Sequence, residues 1–204
     1  MSPRPDVSAQ RVPQILMAAA EVIGRRGLGV ATVGEIAEHA GLSKALVFKY
    51  FHNKDELVAA LVGNLFEGVA GPQRPLGVTC AQTIRDWAAG IAVAIEDDAS
   101  FPAIAAELLA TASRDTRLRA VVQGAYGRLR AELAALIAIG VAEGEFRAVD
   151  AEEAATAIIG QIEGANVLRL VSDDQPSLGQ AYAAGIGLLL DGLAATRPAA
   201  PPMA

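Results

Sequence analysis

The sequence predicts an all-α protein of about nine helices: a small N-terminal domain carrying a helix-turn-helix, followed by a larger helical domain. Three observations point there. Apolar residues recur at helical spacing along the chain and no segment alternates like a strand. Glycine and alanine are abundant while aromatics make up only 4% of a chain that is 52% hydrophobic, a mixture that suits closely packed helices better than sheets. Residues 32–57 then gather helix caps, a turn glycine and all three lysines into one short stretch.

Residues 1–7 hold two prolines and two charges without periodicity and read as a flexible arm. The first helix is expected from near Ser8 to Gly27, with Ile15, Leu16, Ala19, Val22 and Ile23 on its buried face. Pro13 is best tolerated in a first turn, so the regular helix could start as late as Val12. Thr32 and Glu35 form a capping box that starts the second helix at Val33. Gly41, which can adopt the left-handed conformation, ends it. Leu42 fills the corner and Ser43 caps the third helix, whose Leu46, Val47, Tyr50 and Phe51 recur at helical spacing. Two short helices joined by a glycine-containing turn are the helix-turn-helix pattern, here spanning residues 32–51. Ala37, Gly41 and Val47 lie where a steep crossing needs a small contact, a turn glycine and a β-branched core residue. The plainer reading is a helical hairpin with solvated charges.

Asn53 and Glu56 form a second capping box, and the fourth helix runs from Lys54 to about Gly68. Gly71, Pro72 and Pro75 mark a boundary between domains at 8–70 and 76–196. Further helices are expected near 79–96, 102–112, 115–143, 151–171 and 177–195, with turns at Gly144 to Asp150 and Ser172 to Pro176. Residues 197–204, rich in proline and alanine, read as a disordered tail.

The net charge of -6 belongs to the later part of the chain. Residues 1–56 carry seven Lys and Arg against six Asp and Glu, leaving -7 for the remainder. Lys44, Lys49 and Lys54 sit on or beside the third helix, where each can neutralise a phosphate. The longest apolar runs, such as Leu133 to Ala142, are too short to span a bilayer, and no early segment resembles a secretion signal, so a cytoplasmic protein without a membrane partner is expected. Cys80 is the only cysteine and His39 and His52 are far apart, which offers no disulfide, metal or cofactor pattern. Cys80 reads as a small packing residue.

The stretch GLSKALVFKYFHNKDEL, preceded by ILMAAAEVIGRRG, resembles the N-terminal domain of the tetracycline-repressor (TetR) family of transcriptional regulators over about the first 65 residues. The resemblance implies a third helix in the major groove, with Lys54 touching a phosphate from the start of the fourth. By position the DNA-contacting set is Thr32, Ser43, Lys44, Ala45, Leu46, Phe48, Lys49, Tyr50 and Lys54. Phe48 and Leu46 depart from the family pattern, where a tyrosine and a threonine are usual, and neither can donate a hydrogen bond to a phosphate.

The resemblance also makes the larger domain a ligand-binding and dimerisation domain, with the last two helices of each subunit forming a four-helix interface. Ile159, Gly160, Gly164, Gly185, Leu188 and Leu189 are the expected contacts. Glycines inside a helix cost about 1 kcal/mol each relative to alanine, so they call for a gain from close approach, either across a dimer or within one core. An apolar effector is expected among the fourth to eighth helices, near Phe66, Trp87, Ile91, Ile95, Phe101, Ile104, Leu108 and Tyr126, although such a stripe equally describes core. Gln161, Glu163 and Asn166 interrupt an apolar helix and would either orient the effector or pair across the dimer.

Together these readings predict a homodimeric regulator, a repressor that binds a palindromic operator in double-stranded DNA and is released by a small molecule. The alternatives are a ligand-independent architectural DNA binder and an all-helical enzyme. Against the enzyme, the sequence shows no phosphate loop after a strand, no metal cluster and no nucleophile beside a base.

Overall fold

The computed structural model describes residues 7–67, 71–97, 101–172 and 174–195; the side chains of residues 7–9, 66, 67 and 97 lie outside that description. Residues 1–6 and 196–204, where the arm and the tail were expected, also lie outside it. Among the described residues there are nine helices: α1 (Val7–Arg26), α2 (Val33–His39), α3 (Lys44–Tyr50), α4 (Lys54–Glu67), α5 (Cys80–Asp97), α6 (Phe101–Ala112), α7 (Thr116–Ala142), α8 (Ala151–Val171) and α9 (Leu178–Leu193). Each expected helix is present within a few residues of its expected limits. Pro13 lies inside α1 rather than at its start. It is exposed, and Gln10, Arg11 and Val12 just before it contribute nothing fully buried, so the backbone bond that proline forfeits disturbs no packed face.

The chain divides into two units that do not follow a single cut. The first comprises residues 1–70 and 98–126, and the second 71–97 and 127–204. The break expected at Gly71 to Pro75 therefore begins the second unit, but α6 and the first part of α7 return to the first. The physical reason is burial. Ile104 and Leu108 of α6, with Leu118, Val122 and Ala125 of α7, join the core built by α1, α2, α3 and α4. A Cβ added at Gly24 of α1 would lie 3.0 Å from Ile104 Cγ1, so α1 and α6 approach closely there.

Within this unit, Glu107 of α6 accepts a 2.7 Å hydrogen bond from the N–H of Leu28, in the connection between α1 and α2. Gly27 has φ 81°, the left-handed conformation that suits glycine.

In the second unit, α9 packs against both α5 and α8. Ala155, Ile158, Ile162 and Asn166 form the buried stripe of α8, facing a core that contains Tyr182, Ile186 and Leu190 of α9. The N-termini of α8 and α9 are capped by side chains. Asp150 accepts from the N–H groups of Glu152 and Glu153, and Ser177 and Gln180 form a capping box. Phe146 and Ala194 form an isolated antiparallel bridge, the one β contact among the described residues. Phe146 is buried, and a Cβ at Gly140 would fall 2.4 Å from its ring, so Gly140 makes room for it.

Between α8 and α9, the Tyr182 hydroxyl donates a 2.6 Å hydrogen bond to Asn166 Oδ1, with both residues buried. Burial pushes the Tyr182 hydroxyl's pKa well above its ordinary value, so the neutral donor persists at every physiological pH. Removing one partner leaves the other unsatisfied, whereas removing both leaves an apolar contact. Asn166→Leu should therefore cost about 1–3 kcal/mol, and adding Tyr182→Phe should recover part of that loss. Urea unfolding of the two single variants and the double variant measures the coupling, and strictly additive losses would show that the bond contributes nothing.

Candidate nucleic-acid interface

The exposed face of α3 is set by how its ends are closed. Thr32 Oγ1 accepts the Glu35 N–H at 3.2 Å while Glu35 Oε2 accepts the Thr32 N–H at 2.9 Å, the expected capping box of α2. The Thr32 N–H first, and second the Thr32 hydroxyl, which donates to Glu35 Oε2 at 3.0 Å, hold the Glu35 carboxyl below its ordinary pKa; Arg26, paired with Glu35, adds to the effect. At the other end of α2, Leu42 N–H reaches Ala37 O at 2.8 Å and Gly41 N–H reaches Glu38 O at 3.0 Å. With Gly41 at φ 65°, this is a Schellman turn, which satisfies the last carbonyls of α2 and turns the chain at once into α3. Gln14 of α1 donates to Ala40 O at 2.7 Å, tying that turn to α1.

Ser43 then caps α3 through the Leu46 N–H at 3.2 Å. Val47 is fully buried and Ala37, across the turn, nearly so. With Val47 turned inward, Lys44, Ala45, Phe48 and Lys49 are exposed, and Ser43 and Thr32 are exposed beside them. Leu46 and Tyr50 are half-buried, at the edge of that face. Lys44 Nζ lies 5.8 Å from the Phe48 ring centroid, one helical turn away, a cation–π contact that orients the ammonium. Phe48 is 40% exposed, so its ring is available on the outer face.

Lys54 is half-buried, and its ammonium donates to the Leu28 carbonyl. It meets no carboxylate among the described residues. The capping box expected around it is altered. Asn53 Oδ1 accepts the Glu56 N–H at 2.8 Å, but Glu56 Oε2 reaches the backbone N–H of His52 at 2.7 Å and its ring at 2.8 Å instead of Asn53.

The residues expected to line an effector site fall into both units. Trp87, Ile91 and Ile95 of α5 belong to the second, with Ile91 and Ile95 buried and Trp87 half-buried. Phe101, Ile104, Leu108 and Tyr126 belong to the first, where Ile104 and Leu108 are core. The side chain of Phe66 lies outside the described residues. Of the polar residues of α8, Asn166 is held by Tyr182, and Gln161 donates to Ala181 O at 3.1 Å while its Oε1 is buried without a partner. Glu163 is half-buried.

The interhelical glycines divide as well. A Cβ at Gly185 would lie 2.1 Å from Gln161 Nε2, so Gly185 serves the α8–α9 contact inside the chain. Gly160 and Gly164 are exposed, with open space where a Cβ would go. Leu188 is 76% exposed, and Ile159 and Leu189 are half-buried.

One group among the described residues has metal-ligating types, Cys80, Glu143 and Glu145. Its carboxylates are already engaged: Glu145 accepts the N–H groups of Cys80 and Ala81 at 2.7 and 2.8 Å, and Glu143 pairs with Arg74 at 2.8 Å. Burial pushes the Cys80 thiol up, so it stays protonated. Sequence reasoning missed the Glu107 to Leu28 bond, because no local pattern joins residues 79 apart.

Residues 15–61 match the family of bacterial regulatory proteins described as the tetR family, and residues 82–196 match the C-terminal domain of BetI-type transcriptional repressors. The transcriptional regulator TtgR of Pseudomonas putida is 41% identical over 54 residues, 26% of each chain. BetI of Brucella canis is 38% identical over 63 residues, 31% of this chain and 32% of that one. The chain thus spans about a quarter to a third of the length of the curated relatives it matches. In fold it is similar to FadR from Bacillus subtilis in complex with stearoyl-CoA, at TM-score 0.73 and 21% identity over 88% of this chain and 98% of that one. It is also similar to SmeT, the repressor of a Stenotrophomonas maltophilia multidrug efflux pump, at TM-score 0.75 and 18% identity over 94% and 96% of the two chains. With one family match that spans the turn-capped α3, a second over residues 82–196 and the same all-helical fold, this chain belongs to the TetR family of bacterial regulatory proteins.

Proposed function

We propose that the protein is a homodimeric transcriptional repressor that reads a palindromic operator with α3 and is released by a small, largely apolar effector bound in the helices that follow. The observation that carries this reading is the outward face of α3, where Lys44, Ala45, Phe48 and Lys49 are exposed beside Ser43 while Val47 is locked inside. The N-terminal part of such a helix supplies base contacts, so Ser43, Lys44, Ala45 and Leu46 would specify sequence. Lys49, Tyr50, Lys54 and Thr32 would position the protein through phosphates. Phe48 would offer apolar contact to a thymine methyl.

Dimerisation through α8 and α9 is supported by an uncovered apolar stripe. Ala157, Gly160, Gly164, Leu168 and Val171 follow one exposed side of α8, and Leu188 stands out from α9. Exposed apolar surface arranged this way marks an interaction site, and small residues allow two helices to approach closely. A ligand-independent architectural binder would share the α3 face but show no effector-dependent release.

Selection of bound fragments from genomic DNA is the direct test and should return a palindrome with half-sites about one helical turn, or a small multiple of it, apart. On that operator, Lys54→Ala should weaken all sequences alike and lower the salt slope by about one, while Lys44→Ala should also change site preference. Phe48→Tyr should tighten binding by about 0.5–1.5 kcal/mol through an added phosphate hydrogen bond. Lost affinity in that variant would mean that the ring sits against an apolar base edge.

Leu188→Arg should yield a monomer that binds operator poorly, because one short helix reads few base pairs. Analytical ultracentrifugation showing an intact Leu188→Arg dimer would move the interface off this face.

Titrating apolar effector candidates while following Trp87 emission tests the remaining element. An effector that releases operator should change that emission, and Trp87→Phe and Glu163→Gln should alter the concentration needed. Equal potency on both variants with unchanged emission would place the effector elsewhere.

A further inference from the structure

A cleft of about 440 Å³ lies wholly within the first unit, between the α1–α2 connection, the start of α4 and the start of α7. Its volume falls in the range of small-molecule sites. The apolar part is formed by Leu28, Val58 and Leu118, each buried, with the partly buried Val121 beside them. Lys54 and Arg117 bring positive charge to the same cleft.

Which charge a ligand should carry follows from what is already paired. Three carboxylates also line the cleft, and each has donors of its own. Asp115 accepts the N–H groups of Arg117 and Leu118 at 2.8 and 3.0 Å, and these bonds, Leu118 first, hold its carboxyl below the ordinary range. Glu56 is held by the backbone and ring of His52. Asp55 faces Arg117 at 3.4 Å, in a pair so exposed that it stabilises little and can open. The Lys54 ammonium, by contrast, is half-buried with a single carbonyl partner, Leu28 O, and no carboxylate among the described residues. An ammonium has three donors, so an anion can be added without displacing that carbonyl.

We propose that this cleft is a binding site for a small amphiphilic organic anion, a carboxylate whose apolar body lies on Leu28, Val58, Leu118 and Val121 and whose head meets Lys54 and Arg117. The site is separate from the α5 and α8 residues assigned above to the effector. Its regulatory consequence rests on the reading of Lys54 as a phosphate contact: a bound carboxylate neutralises that ammonium and sets its own negative charge against the phosphate, so the anion and the operator oppose each other. By linkage, DNA must weaken the anion by the factor by which the anion weakens DNA.

Octanoate, with octylammonium as the opposite-charge control, tests the site by calorimetric titration of the full-length protein without DNA. Octanoate should bind at least about tenfold more tightly than octylammonium, and Lys54→Gln should remove about that factor. Ala59→Phe, which fills the cleft from α4, should abolish octanoate binding, while Trp87→Phe and Glu163→Gln should leave it unchanged. No octanoate binding at millimolar concentration, equal binding of the two head groups, or octanoate affinity that survives both Lys54→Gln and Ala59→Phe would overturn the proposal. Loss of octanoate binding in Trp87→Phe or Glu163→Gln would overturn it too, by assigning the anion to the second unit. The operator's salt slope in Lys54→Gln, measured without octanoate, reports separately on the phosphate role. An unchanged slope would remove the competition with DNA and leave the anion site standing on the calorimetry.

Discussion

The turn between α2 and α3 is the constraint on which the DNA-binding face depends. Leu42 N–H on Ala37 O and Gly41 N–H on Glu38 O close α2 and launch α3 within four residues. A Cβ added at position 41 would meet nothing within 4 Å, so glycine is needed there for its φ of 65° and not to make room for a Cβ. Ala37 and Val47 then bring the two helices together at a buried point, and the rotation of α3 about its axis follows. Turning Val47 inward is what leaves Lys44, Ala45, Phe48 and Lys49 outward.

That face is carried by a core larger than the helix-turn-helix itself. Ile104 and Leu108 of α6 share the apolar interior of α1 to α4, and Glu107 supplies the acceptor for an otherwise interior N–H at Leu28. A domain drawn from residues 8–70 alone would leave those surfaces uncovered. The connection at Leu28 is thus held from two sides, its N–H by Glu107 and its carbonyl by Lys54. Any change that moves α6 or engages Lys54 acts on the segment that leads into α2.

At the other end of the chain, glycine has two different uses. Gly185 accommodates the Gln161 side chain within the subunit, whereas Gly160 and Gly164 face open space beside exposed Leu168 and Val171. The buried pair of Tyr182 and Asn166 ties α8 to α9. A polar residue in an apolar helix therefore did not by itself indicate a ligand; Asn166 has a structural partner one helix away.

The sequence by itself determined most of what short-range chemistry governs. The capping box at Thr32, the cap at Ser43, the turn glycine and the 3.6-residue periodicity involve groups within a few residues of one another, so the nine helices among the described residues and the helix-turn-helix were legible without any partner. Even the local reading had a limit at Glu56, whose carboxylate had two N–H groups in reach and took that of His52 rather than Asn53. What the tertiary structure decided was which faces meet. The placement of α6 with the first unit, the use of Asn166 and Gly185 inside the subunit, and the cleft that gathers Leu28, Lys54 and Leu118 all join residues far apart in the chain. An apolar stripe states that a helix must be covered and carries no information about what covers it; that choice is made by the shapes and volumes of distant side chains, and only the folded chain brings them together.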